Sequence, residues 1–520
     1  MEQSYLLITA IVPIIWLFLA LCLFRLPGHV VCPIGFVITV VLAVVFWGMN
    51  PSTIGSATLE GVLFGLWPIL LVILASMIMY KYSVASGGME RIRQLLSGVS
   101  TDKRVLVLIL AWGFGGFLEG LAGFGTPVLI PGSILVSLGF NPFFAVVLCL
   151  VANTAATPFA TMGIPVETLA GVTGLDVNLI ADNIATQLFI PCLIIPFVLV
   201  VMTGRSLKAI KGVFLITLIS GLSFALPLYF IASFVGPELP TLIGSVSAIF
   251  CTSAAGKFLY KDTEENKKYL ISAPQNPVVD TVMDHSPNDK KRMSIIAACL
   301  PFLLVLILVV SVNMIPLLSE AVNSLNSTVM IYTGEGGRPL TFSWIATPGI
   351  LILIATVISC VVQRQRIGKL LKIAAEVVIS SRRLFLMILS IISMAKIMYY
   401  CGMTDTIAIA LIAVFGGMYP LISPFIGAFG VFITGSDTTC CVLFGNIQHG
   451  AATALGIEPT WIAASNLSGA AMGKMISPQS IAIGLGIGGL DGRDGEILIK
   501  TIGIGIVFTA LIGFIVFLGA

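Results

Sequence analysis

Long apolar stretches alternate with short polar ones along this 520-residue chain. A helix that spans a bilayer needs ~20 mainly apolar residues. About a dozen such stretches are present, including 5–24, 30–49, 62–80, 184–203, 213–235, 240–259, 295–317, 346–363, 384–401 and 502–519. The strict alternation typical of a membrane β-barrel is absent from the sequence. The pattern therefore predicts an all-α polytopic membrane protein with about 12 transmembrane helices.

Composition supports a membrane protein and argues against several function classes. Hydrophobic residues make up 58% of the chain and charged residues only 10%, against roughly 25% charged residues in soluble domains. The longest polar interruption, 260–294, is too short for a soluble catalytic domain. Three scattered histidines and ten cysteines without a CxxC pair disfavour zinc, haem and disulfides. We expect no enzyme activity, no cofactor, no metal and no nucleic-acid partner.

Basic residues indicate the orientation of the helices. Four clusters, within 81–104, 205–211, 257–292 and 364–383, hold 21 of the 27 Lys and Arg residues. Cytoplasmic loops carry an excess of Lys and Arg, so all four clusters are expected on the cytoplasmic side. The number of apolar stretches between successive clusters agrees with that assignment.

Short matches at similar offsets predict an internal repeat. Ile78-Met79-Tyr80 recurs as residues 397–399, and Asn, Met and Pro of segment 153–165 recur in segment 466–478. Because the span ending at Tyr80 leaves toward the cytoplasm and span 384–401 starts there, the two copies cross in opposite directions. Inverted repeats of this kind are typical of secondary transporters. The predicted division is N-terminal helices 1–60, first inverted repeat 61–203, connecting helices 204–383 with cytoplasmic loop 260–294, and second inverted repeat 384–520.

Two segments are too rich in glycine, proline and polar residues for straight lipid-exposed helices. They are 117–140 in the first repeat and 420–445 in the second. Backbone groups released by a helix break must line protein or a water-filled cavity. Both segments are therefore predicted to be re-entrant or broken helices, with helix N-termini whose N–H groups can bind a carboxylate.

Ionisable residues within these segments are the strongest site candidates, because such groups are costly at membrane depth. Glu119 and Asp437 occupy similar places in the two repeats and are candidates for proton coupling. Lys474 is a candidate anchor for an anionic substrate, although it could equally neutralise Asp437, and Lys396 is an alternative partner for either carboxylate. The predicted substrate-binding residues are Gly123, Gly125, Thr126, Asn153, Thr157, Ser436, Asn466, Ser468, Lys474 and Gln479. For the small polar ones, helix packing is the alternative role.

Four segments make a family resemblance specific. FLEGLAGFGTPV (117–128), NTAATPFATMGIP (153–165), FITGSDTT (432–439) and GKMISPQSIAIG (473–484) resemble the signature segments of the lactate permease (LctP) family, in the same order. The resemblance implies a bacterial or archaeal cytoplasmic-membrane carrier that takes up L-lactate, and often D-lactate and glycolate, with protons. It also implies the ion-transporter fold with paired re-entrant hairpins. The sequence departs from the commoner family pattern at Leu121, at Thr126, at 156–160 and at the cysteines 440–441. These differences leave open which 2-hydroxy acid the carrier prefers.

The leading hypothesis is thus a symporter of 2-hydroxymonocarboxylates and protons, with lactate as cargo. The alternatives are a sodium-coupled carboxylate carrier of the same architecture and a passive anion channel. A membrane-embedded enzyme is disfavoured, because the sequence offers no cofactor site and no pairing of a nucleophile with a base. The oligomeric state is left open.

Overall fold

The chain folds almost entirely into α-helices. The computed structural model describes residues 2–24, 26–97, 99–121, 123, 125–260, 263–271, 294–334, 336–337, 339–487, 490 and 493–520. Most of the predicted loop 260–294 lies outside the described residues.

The helices are numbered in chain order. The first thirteen are α1 (Glu2–Phe18), α2 (Gly28–Val45), α3 (Pro51–Phe64), α4 (Leu71–Ala85), α5 (Gly88–Ser97), α6 (Lys103–Val107), α7 (Gly115–Leu121), α8 (Thr126–Ser137), α9 (Pro142–Asn153), α10 (Ala160–Thr173), α11 (Val177–Gly204), α12 (Phe214–Phe234) and α13 (Pro240–Phe258). The others are α14 (Glu264–Lys267), α15 (Ile295–Met314), α16 (Pro316–Asn323), α17 (Pro348–Val362), α18 (Ile367–Ser380), α19 (Arg382–Tyr400), α20 (Met403–Phe415), α21 (Tyr419–Thr434), α22 (Asp437–Leu455), α23 (Pro459–Lys474), α24 (Pro478–Leu485) and α25 (Asp494–Gly519).

Among the described residues, 11 helices are long and apolar enough to cross a membrane. Several combine neighbouring elements, such as Pro51–Ala85, Lys103–Leu121, Pro142–Thr173 and Met403–Thr434. Shorter apolar helices, among them Tyr5–Leu21 and Pro348–Val362, add to these. The prediction of an all-α polytopic membrane protein is confirmed.

One small β-hairpin accompanies the helices. Strands β1 (Asn326–Val329) and β2 (Leu340–Ser343) pair antiparallel, with Asn326 opposite Ser343. The hairpin lies between α16 and α17, in a connection that the charge pattern places outside the membrane. Tyr332 in its loop is buried in the helical core, and Leu340 of β2 packs against that core.

The helices are interrupted at four places near the centre of the molecule. In the first repeat, the chain breaks between α7 and α8 and again between α9 and α10. In the second repeat, it breaks between α21 and α22 and between α23 and α24. The predicted interruptions within 117–140 and 420–445 are therefore confirmed, and further breaks follow α9 and α23.

Glycines allow α21 and α23 to pack backbone against backbone. A Cβ atom at Gly427 would overlap the carbonyl oxygen of Asn466, and one at Gly469 would overlap that of Pro424. A third contact of the same kind joins Gly473 to Ala428. Small residues permit this close approach of helices in membranes. The two helices that carry the broken segments of the second repeat are thus held closely together.

A buried ion pair joins α3 to α19. Lys396 Nζ lies 2.7 Å from Glu60 Oε1, and the Tyr400 hydroxyl donates to Glu60 Oε2 at 2.8 Å. The ring of Tyr400 stacks on Tyr332 from the connection between α16 and α17. Lys396 is therefore occupied by Glu60, so the structure does not pair it with Glu119 or Asp437, the partners considered from the sequence.

Candidate functional site

The helix breaks surround a cavity that encloses about 810 Å³ of non-protein space, part of it open to solvent. Seven predicted site residues line it: Glu119, Gly123, Gly125, Ser436, Asp437, Lys474 and Gln479. Apolar side chains of α4 and α19, including Ile73, Leu384 and Met387, complete the wall. The cavity thus lies between the two repeats, with polar groups from both and an apolar side.

Glu119 is the acidic group of the first repeat. It lies near the C-terminus of α7, is 2% exposed, and accepts a hydrogen bond from Asn153 Nδ2 at its Oε2 atom, at 2.9 Å. Asn153 belongs to the last turn of α9, so this bond connects the two breaks of the first repeat. The side-chain oxygen of Asn153 is buried without a hydrogen-bond partner in the described structure. Asn153 therefore positions the carboxyl group of Glu119 beside the cavity.

The turn between α7 and α8 depends on glycines. Gly123 and Gly125 have φ angles of +53° and +84°, in the left-handed region that other residues seldom adopt. The Thr126 hydroxyl donates to the Gly123 carbonyl at 2.9 Å. Thr126 thus stabilises the turn from within and does not line the cavity.

Three consecutive left-handed residues form a kink within the first turn of α10. Thr161, Met162 and Gly163 have φ angles of +47°, +57° and +78°. Such conformations are costly for residues with a Cβ atom and persist where packing imposes them, often at functional sites. Thr161 lines the cavity, and Gly163 packs so closely on the Pro237 carbonyl that a Cβ atom would overlap it.

The Pro237 contact brings the loop between α12 and α13 close to the site. Glu238 follows in this loop, and its Oε2 atom is buried without a hydrogen-bond partner in the described structure. Removal from water, together with the negative charge of Glu167 on α10, raises the pKa of Glu238 to about 8. A carboxyl group that is mainly protonated at neutral pH therefore lies on this loop.

The second repeat provides an ion pair. Asp437 is the first residue of α22, and its Oδ2 atom lies 3.0 Å from Lys474 Nζ at the end of α23. The same ammonium group donates to the carbonyl of Gly435 at 3.2 Å. Gly435 has a φ angle of +69°, and Ser436 caps α22 by accepting from the Thr439 amide. The Lys474 side chain is 19% exposed, so the ammonium group remains accessible from the cavity.

Half of the ten predicted substrate-binding residues line the cavity, and the other half, Thr126, Asn153, Thr157, Asn466 and Ser468, do not. Thr157 donates to the Thr154 carbonyl, and the Asn466 side chain contacts Cys440 and Gln448. The buried Ser468 hydroxyl has no hydrogen-bond partner among the described residues. Their roles in substrate binding stay predictions.

Sequence reasoning missed five polar or glycine positions of the cavity wall: Thr161, Gly435, Thr438, Thr439 and Ser480. All five lie within the segments quoted from the sequence, and Gly435, Thr438 and Ser480 are each next to a residue that was chosen. Thr439 and Ser480 are each the third residue of a helix that follows a break, and that position could have identified them. In the described parts of the chain, no group of three or more His, Cys, Asp or Glu could hold a metal ion.

The fold and the site define a multi-pass membrane transporter built from broken helices, with its polar cavity between two repeats. The sequence matches the family described as "L-lactate permease" over residues 6–520. It is 43% identical to the "L-lactate permease" of Streptococcus iniae, over 88% of this chain and 93% of that protein. It is 34% identical to "Glycolate permease GlcA" of Escherichia coli K12, over 99% of this chain and 95% of that protein.

The chain belongs to the L-lactate permease family. Among solved structures, the YdaH transporter of Alcanivorax borkumensis aligns with a TM-score of 0.46 and 16% identity, over 89% of this chain and 88% of that one. The family match and the similarity to the Streptococcus iniae permease confirm the expected family.

Proposed function

We propose that this protein imports L-lactate, and also D-lactate and glycolate, together with protons across the cytoplasmic membrane. Family membership and the names of the relatives, a lactate permease and a glycolate permease, support the class of cargo. The proposal of proton coupling rests on one observation: two buried carboxyl groups and a single ammonium group meet at the cavity.

Charge balance is the physical reason for coupling. With Glu119 and Asp437 ionised and Lys474 protonated, the three side chains carry one net negative charge. A monocarboxylate that enters would add a second negative charge to a poorly hydrated site, which is unfavourable. One proton on either carboxyl group offsets the charge that the substrate brings. Cargo and proton are thus expected to bind together.

Lys474 is the proposed anchor for the substrate carboxylate. In the structure its ammonium group is held by Asp437 and the Gly435 carbonyl. Protonation of Asp437 would release the ammonium group to the substrate. The Ser436 and Gln479 side chains, which also line the cavity, would hydrogen-bond the carboxylate or the 2-hydroxyl group. The apolar wall formed by α4 and α19 would accommodate the methyl group of lactate.

Glu119 is the proposed proton carrier, with Asp437 as the second candidate. It lines the same cavity as the ion pair, and the bond from Asn153 keeps its carboxyl group in place. Symport of one anion with one proton moves no net charge, so a pH gradient alone would drive it.

Uptake of labelled L-lactate into proteoliposomes, with the outside acidic, tests this function. We expect wild type to concentrate lactate and an uncoupler to abolish the accumulation. Glu119→Gln should lose accumulation, whereas Glu376→Gln, an exposed glutamate on α18, should keep it. Accumulation that requires a sodium gradient, or flux that only equilibrates, would contradict proton symport. Accumulation retained in Glu119→Gln would exclude Glu119 and favour Asp437.

A further inference from the structure

A second cavity lies where α11 ends and α12 begins. It encloses about 450 Å³ of non-protein space and is lined by Lys208, Lys211, Lys268 and Tyr269. Within the part of the chain that the structure describes, none of its lining residues is acidic. Three lysines around one cavity give it a positive local potential, which attracts anions.

A buried cluster fixes the floor of this lysine pocket. Arg104 is fully buried and forms an ion pair with Asp102 at 2.6 Å. Its guanidinium group donates to the carbonyls of Ala209, at 2.8 Å, and Lys211, at 3.1 Å, and lies 3.9 Å from the centre of the Tyr269 ring. Because Asp102 neutralises Arg104, the positive charge of the three lysines is not offset by this cluster. The backbone at Lys211 and the ring of Tyr269 are thus held in place, and the three exposed lysine side chains extend from this fixed base.

Position in the membrane decides which anion is expected. The pocket lies in the short connection between two membrane-spanning helices, at the face that the basic residues place in the cytoplasm. Neighbouring apolar side chains are exposed: Leu207 by 76%, Phe214 by 55% and Phe258 by 78%. Apolar residues at this depth contact acyl chains, and lysines beside them extend toward the headgroups. A ligand with a phosphate group and acyl chains fits this combination.

We propose that the lysine pocket binds the phosphate group of an anionic phospholipid in the cytoplasmic leaflet. Basic pockets between transmembrane helices on this side are suited to anionic headgroups. The bound phosphate would draw the three lysines together against Tyr269 and Arg104. Arg104 lies in α6, at the start of the membrane-spanning segment Lys103–Leu121, and Glu119 lies near the other end of that segment. The bound lipid would therefore stabilise the start of this segment. The proposal is independent of the transported cargo.

The test is lipid retention by the purified protein in native mass spectrometry. Wild type is incubated with phosphatidylglycerol or with phosphatidylcholine, and the lipid-bound fractions are compared. We expect wild type to retain phosphatidylglycerol at least threefold better than phosphatidylcholine. The triple variant Lys208→Gln, Lys211→Gln, Lys268→Gln should lose this preference. The matched control Arg366→Gln, Lys372→Gln, Arg383→Gln removes three exposed charges from another cytoplasmic cluster and should keep it.

Two further measurements keep the outcome decisive. Phosphatidylglycerol should raise the melting temperature of wild type and of the control variant, but not that of the pocket variant. Inorganic phosphate, added as a competitor, should not displace the lipid at millimolar concentration, because it lacks acyl chains. Equal retention of the two lipids by wild type would overturn the proposal, as would equal loss in both variants. Displacement by inorganic phosphate would show a free-phosphate site and would also overturn it.

Discussion

The ion pair between Asp437 and Lys474 allows a quantitative test of the site. Asp437→Asn leaves the Lys474 ammonium group with the Gly435 carbonyl as its remaining partner. Lys474→Met is more destabilising, because it removes the partner of Asp437 Oδ2 when Asp437 Oδ1 already has no hydrogen-bond partner in the described structure. Breaking a buried pair costs about 3–5 kcal/mol. Lys474 is 19% exposed, so solvent screening places both variants near the lower end, at about 3 kcal/mol, with Lys474→Met the more destabilised.

The double variant Asp437→Asn, Lys474→Met removes both charges together. Residues in direct contact deviate from additivity, so we expect it to be about 2 kcal/mol more stable than the sum of the two single changes implies. Chemical unfolding of the four proteins in detergent micelles measures this coupling. The exposed pair Arg493–Glu496, at 2.7 Å, provides the control cycle, in which no coupling above error is expected.

Transport separates stability from function in the same four proteins. The double variant should fold but not accumulate lactate in proteoliposomes, because the proposed anchor is gone. Coupling at Asp437 and Lys474 as small as that of the exposed control pair would refute the reasoning about burial. Lactate accumulation by the folded double variant would refute the role of Lys474 as anchor.

Three further predictions concern residues around the site. Lys396→Met removes the ammonium group that lies 2.7 Å from the buried Glu60 carboxylate. It should lower the free energy of unfolding by about 3–5 kcal/mol. A smaller loss of stability than in Lys474→Met would contradict the burial argument. Gly435→Ala should destabilise the protein by about 1–2 kcal/mol because of its left-handed backbone, and further because the new Cβ atom overlaps Gln479. Adding Gln479→Ala should remove the overlap but not the backbone strain, and so restore stability only in part. Full restoration, or none, would contradict the presence of two separate costs. The pKa of Glu238 is raised from 4.5 to about 8 in the folded protein. As pH rises, the Glu238 carboxyl group therefore loses its proton at lower pH in the unfolded chain than in the folded protein. The free energy of unfolding should fall as pH rises from 4.5 to 8. Unfolding measured from pH 4.5 to 8 should show a shallower fall in Glu238→Gln, and identical slopes would disprove the assignment.

The sequence was sufficient to predict the helical fold and the two principal breaks. Gly, Pro and polar residues are concentrated in 117–140 and 420–445, and a backbone that cannot continue as a helix must find partners within the protein. The acidic residues Glu119 and Asp437 stood out for the same reason, because charges are rare within spans. Lys474 was predicted either to anchor an anionic substrate or to neutralise Asp437, and the structure pairs it with Asp437.

Other features depend on contacts that no local pattern encodes. Thr161 and Met162 adopt left-handed conformations that their residue types disfavour, so packing against distant residues must impose them. Glu60 was missed because the apolar stretch was taken to begin at 62, whereas helix α3 begins at Pro51. The true partner of Lys396 thus lay in a segment whose small and polar residues resemble a loop.

The close packing of α21 on α23 limits how the transporter changes conformation. Carbonyl oxygens occupy the space where Cβ atoms would stand at Gly427, Gly469 and Gly473, so neither helix can slide or rotate past the other without backbone collision. We therefore expect Gly435 and Lys474, at the ends of these helices, to keep their separation when the protein changes conformation. For the proposed transport, displacement of this packed unit relative to the half that carries Glu119 would provide alternating access, and the distance between Glu119 and Lys474 would distinguish inward-open from outward-open molecules.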